Sequence, residues 1–117
     1  MRYKVDNIQN HKDKRGWICG QFFPEGDILK TDNLEVKYSS FSPGETVPKH
    51  YHPVGEEVLI IIKGELKAVY DNEEYILRDG DFVYQKPETR ETILEVLKPT
   101  FYVVVRTPSV PNNKVED

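Results

Sequence analysis

The chain has 117 residues and a formal net charge of −4, with sixteen basic and twenty acidic residues interspersed along it. That balance excludes a nucleic-acid backbone binder, which needs a segregated basic patch to release counterions, and the one local cluster, Lys12, Lys14 and Arg15, is broken by Asp13. The length fits one domain, which buries roughly 65% of its unfolded surface without disulfide staples, and Cys19 is the only cysteine. No apolar run approaches the ~20 residues of a bilayer span and the first residues lack a signal peptide's apolar stretch, so no membrane partner is expected and a cytoplasmic, reducing location is the default.

In chain order, helix-period patterns are nearly absent and short runs rich in Val, Ile, Tyr and Phe recur between turn residues. The predicted strands are Trp17 to Phe23, Leu34 to Phe41, Glu57 to Lys63, Glu65 to Tyr70, Glu74 to Leu77, Asp81 to Tyr84, Ile93 to Leu97 and Phe101 to Arg106. Pro24-Glu25-Gly26, Ser42-Pro43-Gly44, Lys63-Gly64, Asp71-Asn72, Asp79-Gly80 and Lys98-Pro99 carry turn chemistry between them. Many short strands at regular spacing predict an all-β fold, a sandwich or a jelly-roll barrel. Beyond Thr107, the prolines at 108 and 111 stop a central strand, which leaves residues 107–117 as a frayed tail or as an arm over the barrel or a partner subunit.

Gly44 to Gly64 carries the chemistry. Residues i and i+2 of a strand share a face, so His50 and His52 can aim both imidazoles at one point, ~7 Å apart along the backbone. Pro53, Val54 and Gly55 allow a turn, after which Glu57 can bring an oxygen back from a neighbouring strand. Two neutral nitrogens and one carboxylate form a divalent-metal triad with open positions. Of the adjacent acids Glu56 and Glu57, only one can face the interior. The third histidine, His11, sits in a polar stretch and reads as a surface residue.

Gly44, His50, His52, Glu57 and Gly64, at these spacings, resemble the first motif of the cupin superfamily. Gly80-Asp81-Phe82-Val83-Tyr84-Gln85-Lys86-Pro87 resembles the start of the second. The resemblance implies a cupin-type double-stranded β-helix, a jelly-roll barrel covering about residues 34–106 of a single domain 1–117, with one divalent transition metal (Mn, Fe, Ni or Zn) at its mouth. It selects Glu57 over Glu56. Cupins usually place a third histidine a few residues beyond the second-motif proline; here Glu91 falls at that place. Three placements are open for Glu91: a fourth ligand, a nearby acid or base, or a solvent-facing residue, with Glu88 as the substitute if the loop is shifted. A second carboxylate would harden the site towards Mn, Fe or Ni and away from Cu(I).

Asp13-Lys14-Arg15-Gly16-Trp17 resembles a segment that opens sugar-nucleotide epimerases and ketoisomerases of the same superfamily; a polar turn entering a strand gives the same pattern, and is preferred. Those relatives move protons with histidines and no metal, so His50 or His52 is alternatively a general base. Tyr38, Tyr51, Tyr70, Tyr84, Tyr102 and Arg106 are candidates to line the mouth, Tyr51 least so, because it alternates against both histidines. The ending Val103 to Pro111 with the early Arg-Gly-Trp resembles small cupins of unassigned function. The expected function is metal-assisted chemistry of oxygenase or isomerase type on a small oxygen-bearing substrate, in a homodimer. A non-catalytic ligand-binding or sensing module and a metal-free ketoisomerase are the alternatives.

Overall fold

The computed structural model describes residues 2–117. A 3-10 segment, Ile8–Lys14, precedes eight strands: β1 Trp17–Cys19, β2 Glu35–Phe41, β3 Val47–Tyr51, β4 Glu56–Tyr70, β5 Glu73–Arg78, β6 Phe82–Gln85, β7 Glu91–Thr107 and β8 Val115–Glu116. All sheet pairings between them are antiparallel. This is the expected all-β jelly roll, built differently in its longest elements.

Two predicted turns lie inside strands. Glu57 to Lys63 and Glu65 to Tyr70 form one strand, β4, running through Gly64; the two predicted strands on either side of Lys98-Pro99 merge in β7. The β4·β7 ladder is irregular at both places, with register shifts at Ile61/Lys63, Lys63/Glu65 and Glu65/Leu66. Such bulges change which face a side chain takes. Interior positions of β4 are Glu57, Leu59 and Ile61 before Gly64 and Leu66, Ala68 and Tyr70 after it; β7 likewise switches from Glu91 and Ile93 to Val96, Thr100, Tyr102 and Val104. Gly64 is required at the bend: φ is 131° and a Cβ would lie 2.4 Å from Thr100 Oγ1.

The bends let β4 and β7 serve two layers. Their outer halves, with β1, β2 and β6, form one; Glu91 to Val96 and Glu65 to Tyr70, with β3, β5 and β8, form the other. Between them lies a core of Leu59, Ile61, Leu66, Ala68, Tyr70, Leu77, Ile93, Val96, Tyr102 and Val104.

Three further expectations change. The strand from Trp17 stops at Cys19 instead of Phe23, β3, the strand expected to carry both His50 and His52, ends at Tyr51 just before His52, and β8 had no predicted counterpart. His11 is buried, 4% exposed, not a surface residue: Nδ1 lies 2.9 Å from Trp17 O and Nε2 3.0 Å from Asp6 Oδ2. It ties the 3-10 segment to β1. The C-terminal segment lies along the fold: β8 pairs with β3, and Ser109 Oγ bonds Glu35 and the Gln21 amide.

Candidate metal centre

Strand register assembles the site from two rows of residues. Across the first layer, Glu35 of β2 opposes Arg106 of β7, which opposes Glu57 of β4, which opposes Gln85 of β6. Across the second, His50 of β3 opposes Glu91 of β7, which opposes Tyr70 of β4. Glu57 comes from β4, which among the described residues pairs with β5, β6 and β7 and not with β3. The two rows meet at one end of the fold.

The first row is an ion network. Arg106 donates from Nε to Glu57 Oε1 at 2.5 Å and from a terminal nitrogen to Glu35 Oε2 at 2.8 Å. Gln85 Nε2 donates to Glu57 Oε2 at 2.7 Å and to Glu91 Oε2 at 3.0 Å, joining the rows. Glu57 is 5% exposed. Burial and then the charge of Glu91 push its carboxyl up, against the pull of Arg106.

The second row holds the histidines. His50 Nδ1 lies 2.9 Å from Pro48 O and His52 Nδ1 2.5 Å from Asn113 O. A carbonyl can only accept, so each Nδ1 carries the hydrogen and, in the neutral ring, each Nε2 presents a lone pair. His50 Nε2 is 3.3 Å from Glu91 Oε1, and His52 Nε2 is 3.7 Å from Glu57 Oε1; the ring centroids are 5.3 Å apart. Among the described residues, buried His52 Nε2 has no hydrogen-bond partner.

The two imidazoles differ electrostatically. Burial lowers His50, but Glu91 and the Pro48 carbonyl outweigh it and the net shift is upward. Burial and then the Arg106 charge bring His52 down to about 4, so its nearness to Glu57 is not an ion pair at neutral pH. Glu91, 9% exposed, stays below the usual carboxylate range: burial opposes this, but hydrogen bonds from His50, Tyr70 and Gln85 prevail. Tyr70 donates to its Oε2 at 2.7 Å. The solvent-facing placement of Glu91 is thereby corrected, and Glu88 is exposed, contributing its backbone amide to His52 O at 2.9 Å.

Among the described residues, no three His, Cys, Asp or Glu side chains stand close enough together to form a ready metal cluster. Arg106 and Gln85 hold Glu57 within the first row. The donor types nevertheless fit a divalent ion: two anchored imidazoles, one with a buried nitrogen unpartnered among the described residues, and Glu91 with its Oε1 3.3 Å from His50 Nε2. The buried charges agree, since Glu35, Glu57 and Glu91 face only Arg106 as a permanent cation in the network.

Of the predicted lining residues, Tyr102 and Arg106 reach the cavity above the site and Tyr70 lies beneath Glu91. Tyr84 points outward to Glu56, and Tyr51 stacks under Arg90, 3.8 Å from ring centre to guanidinium carbon. Glu35, Gln85 and Asn113 went unrecognised as site residues. Only Gln85, inside the second motif, carried a local signal.

A family model described as Cupin domain matches residues 37–91. A structure from Klebsiella pneumoniae, an uncharacterised protein with a double-stranded β-helix domain, matches 97% of this chain and 96% of its own, with TM-score 0.68 and 20% identity. A cupin domain therefore occupies residues 37–91 of the chain. The DMSP lyase DddQ from Ruegeria pomeroyi superimposes on 80% of this cupin and 47% of its own chain, with TM-score 0.67 and 22% identity. At these identities both structures speak for fold alone. A germin-like protein, subfamily 1 member 3, of Arabidopsis thaliana is 34% identical over 62 residues, 51% of this chain and 26% of its own. This cupin therefore spans about a quarter of that curated relative.

Proposed function

We propose that this cupin binds one divalent metal through His50, His52 and Glu91, with Glu57 available as a further oxygen, and carries out metal-assisted chemistry on a small oxygen-bearing molecule. The observation that supports it most is the unpartnered Nε2 of His52, buried and set by the Asn113 carbonyl as an acceptor. A buried acceptor without a donor costs about 1 to 3 kcal/mol, which a bound cation removes. A divalent ion there supplies Lewis acidity towards a carbonyl or enolate oxygen.

The chain's own residues do the rest. Tyr70 and Gln85 hold Glu91 as an anion through Oε2, and its Oε1 faces His50 Nε2 at 3.3 Å. Arg106 keeps Glu57 oriented. Above them a cavity of about 250 Å³, walled by Phe41, Val47, Ile93, Tyr102 and Val104, has room for a small molecule and restricts water around it. The metal-free ketoisomerase reading has weaker support: a histidine at about 4 is a poor general base near neutral pH, and His50 is engaged with Glu91.

Metal analysis of untagged protein prepared without chelator, under several metal supplements, tests the proposal. About one equivalent is expected in the wild type, and less than about a tenth in a folded His50→Ala/His52→Ala double variant. Wild-type protein below about a tenth of an equivalent under every supplement, or undiminished metal in the double variant, would overturn it.

A further inference from the structure

The polar centre is acidic, but the cavity above it is ringed by cations. Arg15, Lys37 and Lys114 line it together with Arg106. The same residues line an adjoining hollow of about 280 Å³, with Trp17, Val110 and Asn113. Arg106 is engaged with Glu35 and Glu57, whereas among the described residues Arg15, Lys37 and Lys114 make no ion pair. In a chain of net charge −4 this grouping is not a by-product of composition.

Three separate segments bring these cations together. Lys37 stands in the row of Val104 and Leu59, both buried, so its side chain starts from the interior face of β2. Its Nζ lies 5.3 Å from the Trp17 ring centroid. Arg15 follows the 3-10 segment in left-handed backbone, φ 58°, and Gly16 after it, φ 89°, is pinned to β2: the Tyr38 amide donates to Gly16 O at 3.0 Å, and a Cβ on Gly16 would lie 2.1 Å from Tyr38 O. Lys114 comes from the C-terminal segment beside Asn113. Burial, and then Arg15, Arg106 and Lys114 in that order, hold the Lys37 ammonium below its usual pKa, so each of the three other cations acts on Lys37.

Glu57 and Glu91 in the floor and Glu35 in the adjoining hollow are already engaged by Arg106, Gln85 and Tyr70, so the like charges of Arg15, Lys37 and Lys114 at the rim are relieved by an incoming anion. The walls below are apolar. From this we infer that the cavity receives a small organic anion, its charged head group held by Lys37, Arg15 and Lys114 and its short apolar body lying against Phe41, Val47, Ile93 and Tyr102. The inference rests on the proposed reading of this cavity as the ligand site, and adds the ligand's chemical class. Anionic floor and cationic rim then orient the molecule: the end bearing the anion stays at the rim and the other end reaches the histidines.

Three probes that share a propyl body separate charge from shape: butyrate, monopropyl phosphate and the neutral butyramide, titrated into chelator-treated protein and followed by amide chemical shifts. At least one anion is expected to bind about tenfold or more tightly than butyramide, and more weakly as salt is added. Lys37→Gln should weaken that anion by about tenfold and Lys114→Gln by a few-fold. Whichever anion binds better assigns the head group as carboxylate or phosphate. Equal binding of butyramide, binding of neither anion, or an affinity unchanged by both substitutions would overturn the inference. Should Lys37→Gln not fold, Lys114→Gln, on an exposed segment, still decides it. Because no metal is present in the titration, the two readings fail separately. Protein that loads no metal yet binds the anion through these lysines loses only the metal proposal; protein that loads metal at His50 and His52 but does not discriminate charge loses only this one.

Discussion

The two polar rows of this cupin are built alike, by register across paired strands, yet they are completed differently. Glu35, Arg106, Glu57 and Gln85 satisfy one another, each acid in the row meeting a donor from the same row. His50, Glu91 and Tyr70, with His52 beside them, do not close: both imidazoles are anchored from outside through Nδ1, and one Nε2 is left unpartnered. A closed row serves stability and orientation, and an open one keeps capacity for something the chain does not supply. On the proposed reading, that difference leaves Arg106 to the protein's own stability and His52 to a ligand.

Breaking the closed row should have the largest effect. Arg106→Leu leaves Glu35 and Glu57 buried without their cation, and removing one partner of a buried pair costs about 3 to 5 kcal/mol. The urea midpoint of unfolding in chelator-treated protein measures it. A loss under about 1 kcal/mol would mean that water or Gln85 already satisfies these carboxylates, and that the row does not depend on Arg106.

The open row should show itself through pH. His52 lies at about 4 in the folded chain against an ordinary 6.5. Between those values the unfolded chain binds the extra proton, so stability rises with pH across the window and falls as pH drops from 6.5 towards 4. The full shift corresponds to about 3 kcal/mol, since one pKa unit is worth about 1.4 kcal/mol. Unfolding of metal-free wild type at intervals from pH 7.5 to 4.5, set beside His52→Gln, isolates it. The variant should lose most of that slope. Parallel curves would show that His52 accepts a proton in place and that its nitrogen is not isolated.

How much of this was legible in the sequence depends on the distance over which each feature is decided. The paired histidines and Glu57 follow from local spacing and alternation, and the fold class follows from strand and turn patterning. Gly64 and Pro99 were read as turns because their types are those of turns; only the partner strand, present along the whole of β4 and β7, makes them bulges inside continuous strands. The rows themselves are invisible locally. Arg106 meets Glu57 across 49 residues and Glu35 across 71. The anchor of His52 is a backbone carbonyl, which any residue at position 113 carries, so no side-chain type announces it. His11 was misread for a related reason, since a polar neighbourhood in sequence says nothing about a 3-10 segment folding its ring onto Trp17 O.

Glu91→Gln should have a smaller effect than either change above. It removes the charge at Oε1 while keeping the shape and one acceptor for Tyr70. If Glu91 belongs to the open row as a ligand, metal affinity should fall by about tenfold or more, measured by competition with a chromophoric chelator. An unchanged dissociation constant would leave Glu91 as the partner that orients His50 and no more.

Asn113→Ala should be the mildest change, and it tests what anchoring means. The side chain of Asn113 donates to Val54 O at 2.8 Å and accepts from the Val54 amide at 3.0 Å, while its backbone oxygen receives His52 Nδ1. Truncation removes the two side-chain bonds and leaves the carbonyl, so the tautomer of His52 is kept but its carbonyl partner is no longer clamped. Metal affinity should fall only a few-fold, as for an outer-shell partner that is loosened and not lost, while the β3–β8 end of the segment exchanges its amide protons faster. A Gln at the same position, too long to make both bonds to Val54, should not restore affinity. If affinity falls a hundredfold in Asn113→Ala, the segment does more than position one imidazole; if neither affinity nor exchange changes, backbone pairing of β8 with β3 alone holds His52 in place.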